Sequence, residues 1–217
     1  MHRKKFEMTK TVVTVSMIAL AGAAGAQLPQ FMWDGGMKHV LITFDGVSVG
    51  VEVDPNTPSL ELPLEMRNFG GAYQGNASVL DGAYYSSQYG FLADGFITLP
   101  QGAAISIEML SATPGLNAYE GGMRPMLANH TYAPIFGTDA SDTSWEWGGT
   151  MHHPWFAVDE LGGYEAVFEV FISDAVTGDR LSGFGSETVT LQWQAVPAPG
   201  AAAVLGLGGL VAARRRR

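Results

Sequence analysis

The sequence predicts an all-β protein, an antiparallel β-sandwich built from one domain. Three observations predict it. Apolar and polar residues alternate along five separate runs, and no stretch sustains the 3.6-residue period of an amphipathic helix. Twenty-eight glycines and eleven prolines break those runs with turn signals. The central stretch 27–195 has the length of one domain and shows no internal repeat.

The first element lies ahead of the sandwich. MHRKKFEMTKTVVTVSMIALAGAAGAQ begins with a basic head of Arg3, Lys4, Lys5 and Lys10 and continues into an apolar stretch from Thr11 to Ala21. Ala24, Gly25 and Ala26 then supply small residues ahead of Gln27, which is the layout of a secretory signal peptide cut by signal peptidase after Ala26. The apolar stretch is shorter than the roughly 20 residues a spanning helix needs.

The strands follow in order. Lys38 to Phe44 and Val47 to Val53 flank Asp45-Gly46, a pair suited to a two-residue type I′ hairpin turn. Phe69 to Tyr89, rich in Gly, Tyr and Ser, reads as long loops with at most one strand. Ala104 to Leu110 sets Ile105, Ile107 and Met109 against polar neighbours and stops at Thr113-Pro114-Gly115. Tyr164 to Ile172 puts Tyr164, Ala166, Phe168, Val170 and Ile172 on one face, with glutamates on the other. Glu187 to Trp193 does the same with Val189, Leu191 and Trp193.

The joint Val196-Pro197-Ala198-Pro199-Gly200 cannot prolong that last strand, because proline lacks the N–H a ladder requires. Ala201 to Ala213 is apolar and rich in small residues, and Arg214, Arg215, Arg216 and Arg217 close the chain. Such a basic end is expected to stay on the cytoplasmic side of the inner membrane. The organisation is therefore a signal peptide (1–26), a sandwich domain (27–195) and a tail signal (196–217).

Removing both ends changes the charge. The body keeps only Lys38, Arg67, Arg124 and Arg180 against twenty acids, a net of −16 where the whole chain carries −9. Such a body is expected to repel nucleic acid and anionic lipid headgroups, and either to attract cations or simply to stay soluble in a salty exterior. There is no cysteine, so an exported body must draw its stability from its core rather than from disulfides.

No catalytic set assembles. Gly46-Val47-Ser48-Val49-Gly50 fits G-x-S-x-G, but a nucleophile elbow needs a helix after the serine, and VEVDP follows. Asp139, Asp142 and Glu146 cluster between Gly137 and Trp147. Counted from Asp139, the calcium-loop positions that need acid or glycine hold Ser141, Ser144 and Thr150. No lysine follows Lys38, which removes Schiff-base and Ser-Lys chemistry. Trp33, Trp145, Trp147 and Trp155 are candidates for a sugar-stacking platform.

His152 and His153, in GGTMHHPWF, are the remaining chemical signal. Strand neighbours point to opposite faces, so the two are not expected to bind one ion together. A metal site needs His152 with His39 or His130 and an acid, since such sites use three or four N or O ligands. Zinc or copper is the fitting ion, because imidazole suits both and no thiolate is present. The other histidine is expected to face solvent or to pack on Trp155.

Two resemblances add to this reading. The order of Pro joint, apolar stretch and arginine cluster is similar to the PEP-CTERM sorting signal of bacterial envelope proteins, which an exosortase-type membrane protease recognises. Ala198 stands where that family has glutamate. The body resembles the choice-of-anchor M type of secreted domain in short segments spread over most of 38–193. These are His39-Val40, Gly95 to Gln101, Thr113-Pro114-Gly115, His152 three residues before Trp155, and Gly163-Tyr164. In that family an H-x-H-x-x-W segment is typical. His152 matches its second histidine, Thr150 takes the place of the first, and His153 is additional.

The expectation is an exported, envelope-sorted, non-enzymatic sandwich with a structural or ligand-binding role at the cell surface or in the extracellular matrix. The alternatives are a zinc- or copper-binding surface protein, a carbohydrate-binding module that takes polysaccharide and, last, a hydrolase, which would require a cleft with paired acids.

Overall fold

The computed structural model describes residues 28–30, 36–56, 63–124 and 126–197. The signal-peptide segment with Ala26 and Gln27, most of the tail signal with Pro199, Gly200 and Arg214 to Arg217, and Trp33 lie outside the described residues. No helix among the described residues is long and apolar enough to cross a membrane.

The described chain is mostly β-structure, in strands β1 (Lys38–Phe44), β2 (Val49–Val53), β3 (Leu64–Arg67), β4 (Tyr84–Ser86), β5 (Tyr89–Ala93), β6 (Ala103–Ala112), β7 (Asn117–Gly122), β8 (Ser144–Trp147), β9 (His153–Val158), β10 (Gly162–Asp174) and β11 (Glu187–Val196). They form a three-stranded sheet, β2-β1-β5, and an eight-stranded sheet, β7-β9-β4-β3-β11-β10-β6-β8, curled into a half-barrel. One pair, Phe91 with His152, ties the two sheets together through hydrogen bonds of 2.9 and 3.0 Å.

The runs read from the sequence are strands, with adjusted ends. Ala166, Phe168, Val170 and Ile172 of β10 are buried, as are Val189, Leu191 and Trp193 of β11, and these two strands pair antiparallel. Strand β6 flanks β10 on its other side, and the ladder skips Leu110, a bulge that turns this leucine out to solvent. The β1–β2 hairpin forms, but its connection is longer than the expected two residues. Phe44 pairs with Val49, and Asp45 accepts bonds from the Val47 and Ser48 N–H groups while Gly46 adopts φ +95°. An Asx turn thus replaces the tight type I′ turn. Ser48 runs straight into β2 and bridges Gly185, which gives the G-x-S-x-G match no elbow.

The sheets are mixed, which corrects the purely antiparallel expectation: β1 pairs β5, and β11 pairs β3, in parallel. Alternation reports which face a residue takes and is blind to strand direction. The long connections between these partners leave room for parallel pairing, which a hairpin cannot supply. Phe69 to Tyr89 also holds more structure than expected. A 3₁₀ turn (Gly75–Leu80) precedes β4, and β5 begins at its end.

Strand β9 reads HPWFAV and is buried at all six positions. Phe156 and Val158 enter the main core with Val40, Phe91, Phe168 and Trp193, whereas Trp155 and Ala157 enter a second cluster with Tyr73, Leu80, Tyr85, Tyr119 and Tyr132. A strand between two cores has no polar face, so it shows no alternation.

Candidate functional site

The edge where the two sheets meet gathers several buried polar groups of the described residues. In β1 and β5, His39 pairs with Gly90. The Phe91–His152 pair sets β5 antiparallel to the start of β9, so the next residues along that register are Gly90 and His153. On the far side of β1, Val40 pairs with Val53, and the Asp54 N–H donates to the His39 carbonyl at 2.9 Å. In β7, Gly122 pairs with His153. One row of residues therefore crosses five strands: Asp54, His39, Gly90, His153, Gly122. Paired residues point to the same face, so the two histidines flank a glycine without a side chain.

The ring of His153 occupies the space Gly90 leaves. A Cβ on Gly90 would lie 2.4, 2.6 and 2.9 Å from its Cε1, Nε2 and Nδ1 atoms. A Cβ on Gly121 would lie 1.8 Å from the His153 carbonyl oxygen. Two glycines thus cradle this residue, which is fully buried. Its Nδ1 lies 3.0 Å from the Ser87 carbonyl, which can only accept, so Nδ1 carries the proton and Nε2 holds a bare lone pair. That Nε2, the Nε2 of half-buried His39, and Ser87 Oγ are buried without hydrogen-bond partners among the described residues.

Burial first, and then the Arg124 and His39 charges, bring the His153 pKa from 6.5 down to about 3 against the opposing Ser87 and Tyr89 backbone groups. Arg124 is itself buried and donates to the Gly36 carbonyl at 2.8 Å, beside buried Lys38 and Gln88.

The other histidines sit elsewhere. His152 points to the opposite face from His153 and packs on Trp145, with ring centroids 4.6 Å apart. Burial lowers its pKa to about 4. The ring of His130 packs beside Gly122, where an added Cβ would meet its Cδ2 at 3.1 Å. The Trp155 indole N–H donates to His130 Nδ1 at 3.0 Å, so the proton of His130 is on Nε2 and is given to the Met123 carbonyl, also at 3.0 Å. Both nitrogens are engaged, and as placed the ring offers no lone pair to a metal.

The expected set of His152, His39 and His130 is not gathered into one site: the charges of His130 and Glu120 act on His152, whose Nε2 is also buried without a partner among the described residues, while His39 lies in the row of His153. His39 shares its row with His153, not with His152, because the Gly90 register selects the odd-numbered face of β9. Neither member of the pair faces solvent or packs on Trp155; that place belongs to His130. Among the described residues no group of three or more His, Asp or Glu is placed to hold a metal ion. Asp139 and Asp142 lie in a 3₁₀ turn and its exit, on an exposed surface.

Trp147 and Trp155 are buried and Trp145 is half-buried against Phe136 and His152, so these three form no exposed platform. A sequence signal for the row did exist. Gly90 interrupts the strand-like Tyr89-Gly90-Phe91, and a glycine inside a strand marks close approach by another group.

Comparison with protein-family models, with curated proteins and with solved structures finds no match to this chain.

Proposed function

We propose that this chain is an exported, non-enzymatic β-protein that binds a ligand at the cell surface through the His39–Gly90–His153 row. The observation that carries the reading is that the Nε2 atoms of His39 and His153, in one row, are buried without hydrogen-bond partners among the described residues. A buried polar atom without a partner loses on the order of 1–3 kcal/mol, so a retained group of them fits a position that something fills. Binding is favoured over catalysis because the pKa of His153 lies near 3, far from the neutral range a general base needs.

The export half of the proposal rests on the leader, on the tail with its PEP-CTERM-like order, and on the resemblance to choice-of-anchor M domains. In that scheme signal peptidase cuts before Gln27, and an exosortase-type protease releases the body near Val196 and Pro197 from the inner membrane.

A second reading, polysaccharide binding, draws on a different surface. Phe96 is 93% exposed at the rim of a groove lined by Ile97, Leu99, Ile105 and Trp147. An exposed ring beside a groove suits stacking against a sugar face.

Thermal melting of the full chain with a panel of metal ions and oligosaccharides tests both. Stabilisation abolished by His39→Ala supports the row, and stabilisation abolished by Phe96→Ala supports the groove. A panel without effect on either would remove the binding role. Intact-mass measurement on protein from its native envelope tests the two cuts, and an uncut 23.1 kDa chain would defeat the sorting scheme.

A further inference from the structure

A sheet edge carries unpaired main-chain donors and acceptors, and among the described residues three of the four edges here are closed. Along β2, Val49 donates to the Gly185 carbonyl at 3.0 Å, Gly185 donates to Val47 at 2.9 Å, and the Val51 N–H donates to the Glu187 carboxylate at 2.8 Å. The outer side of β5 is met by His152 at Phe91. At one end of the large sheet, β7 is covered by the segment that follows it. There the Glu120 N–H donates to Ala133 at 2.7 Å and the Ile135 N–H donates to Ala118 at 3.0 Å. Strand β8, at the other end, pairs with β6 alone.

The phase of that pair fixes which groups face outward. Just ahead of β8, the Met109 N–H donates to the Thr143 carbonyl at 3.4 Å. Bonded and non-bonded positions alternate in an antiparallel ladder, so Trp145 and Trp147 use their N–H and C=O groups on β6, while Ser144 and Glu146 turn theirs outward. The side chains alternate too. Trp145 and Trp147 lie on the core face, and Ser144 and Glu146 lie on the outer face beside Glu108 and Ser106. Where β8 ends, a groove of about 480 Å³ opens, lined by Ile97, Leu99 and the core-facing Ile105 and Trp147.

We propose that β8 is a docking edge for an extended segment of a basic partner protein, which joins the sheet antiparallel with basic and apolar residues in alternation. Main-chain bonds to Ser144 and Glu146 hold such a strand, and its alternate side chains are read by what each face offers. A residue opposite Glu146 shares the outer face with that exposed carboxylate, which selects lysine or arginine. The next residue, opposite Trp147, shares the core face and reaches the groove, which selects an apolar side chain. The stretch 27–195, with twenty acids against four bases, attracts a basic partner and repels a second copy of itself. This edge depends on neither binding reading above, although its groove is the one that Phe96 rims.

The test titrates the full chain with a short, end-capped, fluorescent peptide that alternates lysine and valine, followed by anisotropy. A glutamate–valine peptide and a lysine–valine peptide N-methylated at its lysine amides are the controls, and neither is expected to bind. Glu146→Lys should weaken the lysine peptide about tenfold and admit the glutamate peptide. Ser144→Pro removes an outward N–H and no ladder bond, a replacement that edge strands tolerate, and should weaken binding roughly tenfold. Circular dichroism checks that both variants are folded.

Hydrogen exchange of the unmutated chain needs no variant. The Ser144 and Glu146 amides should exchange quickly in the chain alone and slowly with the lysine peptide, while those of Trp145 and Trp147 stay protected throughout. Equal binding of the lysine and glutamate peptides, tight binding of the methylated peptide, or unchanged exchange at Ser144 and Glu146 overturns the proposal. So does protection of these two amides by self-association, or by an oligosaccharide in place of the peptide.

Discussion

Gly90 has no side chain to offer the core, yet a methyl group there would press to within 2.4 Å of a ring that has nowhere to go. His153 is fully enclosed and held from behind by Ser87, so the strain must move backbone. Gly90→Ala should destabilise the fold by about 1–3 kcal/mol, more than offsetting the roughly 0.4–1 kcal/mol that glycine replacement gains from the unfolded chain. Gly121→Ala should be worse, because its methyl would meet the His153 carbonyl oxygen rather than a side chain. Urea unfolding of both variants measures this, and a neutral Gly90→Ala would mean that the ring is looser than its burial implies. The sequence drew attention to the right dipeptide and to the wrong member of it. His152 matched a family position, but which of two adjacent residues faces a given neighbour is set by register, and the register partner lies more than sixty residues away.

At the level of elements, the β6–β10 ladder pairs nine residues, as many as β10–β11, and lends itself to substitution. Phe168 in β10 is completely buried between Phe91, Phe136 and Phe156, so Phe168→Ala should cost about 3–5 kcal/mol. On the same strand, Ser173 Oγ lies 2.7 Å from Ser106 Oγ of β6, and both side chains are buried. Replacing either serine with alanine leaves the other hydroxyl unpaired and should cost about 1–3 kcal/mol. The double replacement should cost less than the two singles together, because nothing polar is then stranded. A double-mutant cycle by chemical unfolding gives the coupling, and strict additivity would show that the two hydroxyls do not depend on each other. Strands β6, β10 and β11 were legible because each has one face toward the core and one toward water. Strand β9 was not, because two cores claim its two faces.

The whole molecule responds to acid through its enclosed histidines. In the folded chain the pKa values of His152 and His153 fall to about 4 and 3, mainly through burial, against an ordinary 6.5 when unfolded. Glu120 opposes the shift at His152 and His130 adds to it, while Arg124 and His39 add to it at His153. Between these values and pH 6.5 the unfolded chain binds more protons than the folded one, so stability is full above about pH 6.5 and is lost as the pH falls. At about 1.4 kcal/mol per unit, each histidine should remove roughly 2 kcal/mol by pH 5. Carboxylates held low by their bonds, such as Glu169 beside Arg180, act only at lower pH, below their ordinary value of 4.5. Urea midpoints of the metal-free chain at pH 7, 6 and 5 isolate the histidine window, and a flat series would show that neither ring is held neutral.

Alternation, turn residues and composition by themselves determined that this chain is a β-protein, where its longest strands run and which of their residues are inside, because those properties depend on spacing along the chain. They also drew the charge contrast between the acidic body and the basic ends. Only the tertiary structure decided that two strand pairs are parallel, that β9 lies between two cores, and that His153 rather than His152 faces His39 across Gly90. The physical reason is that pairing direction and register arise between segments far apart in sequence, and a one-residue change of register sends every side chain of a strand to its other face.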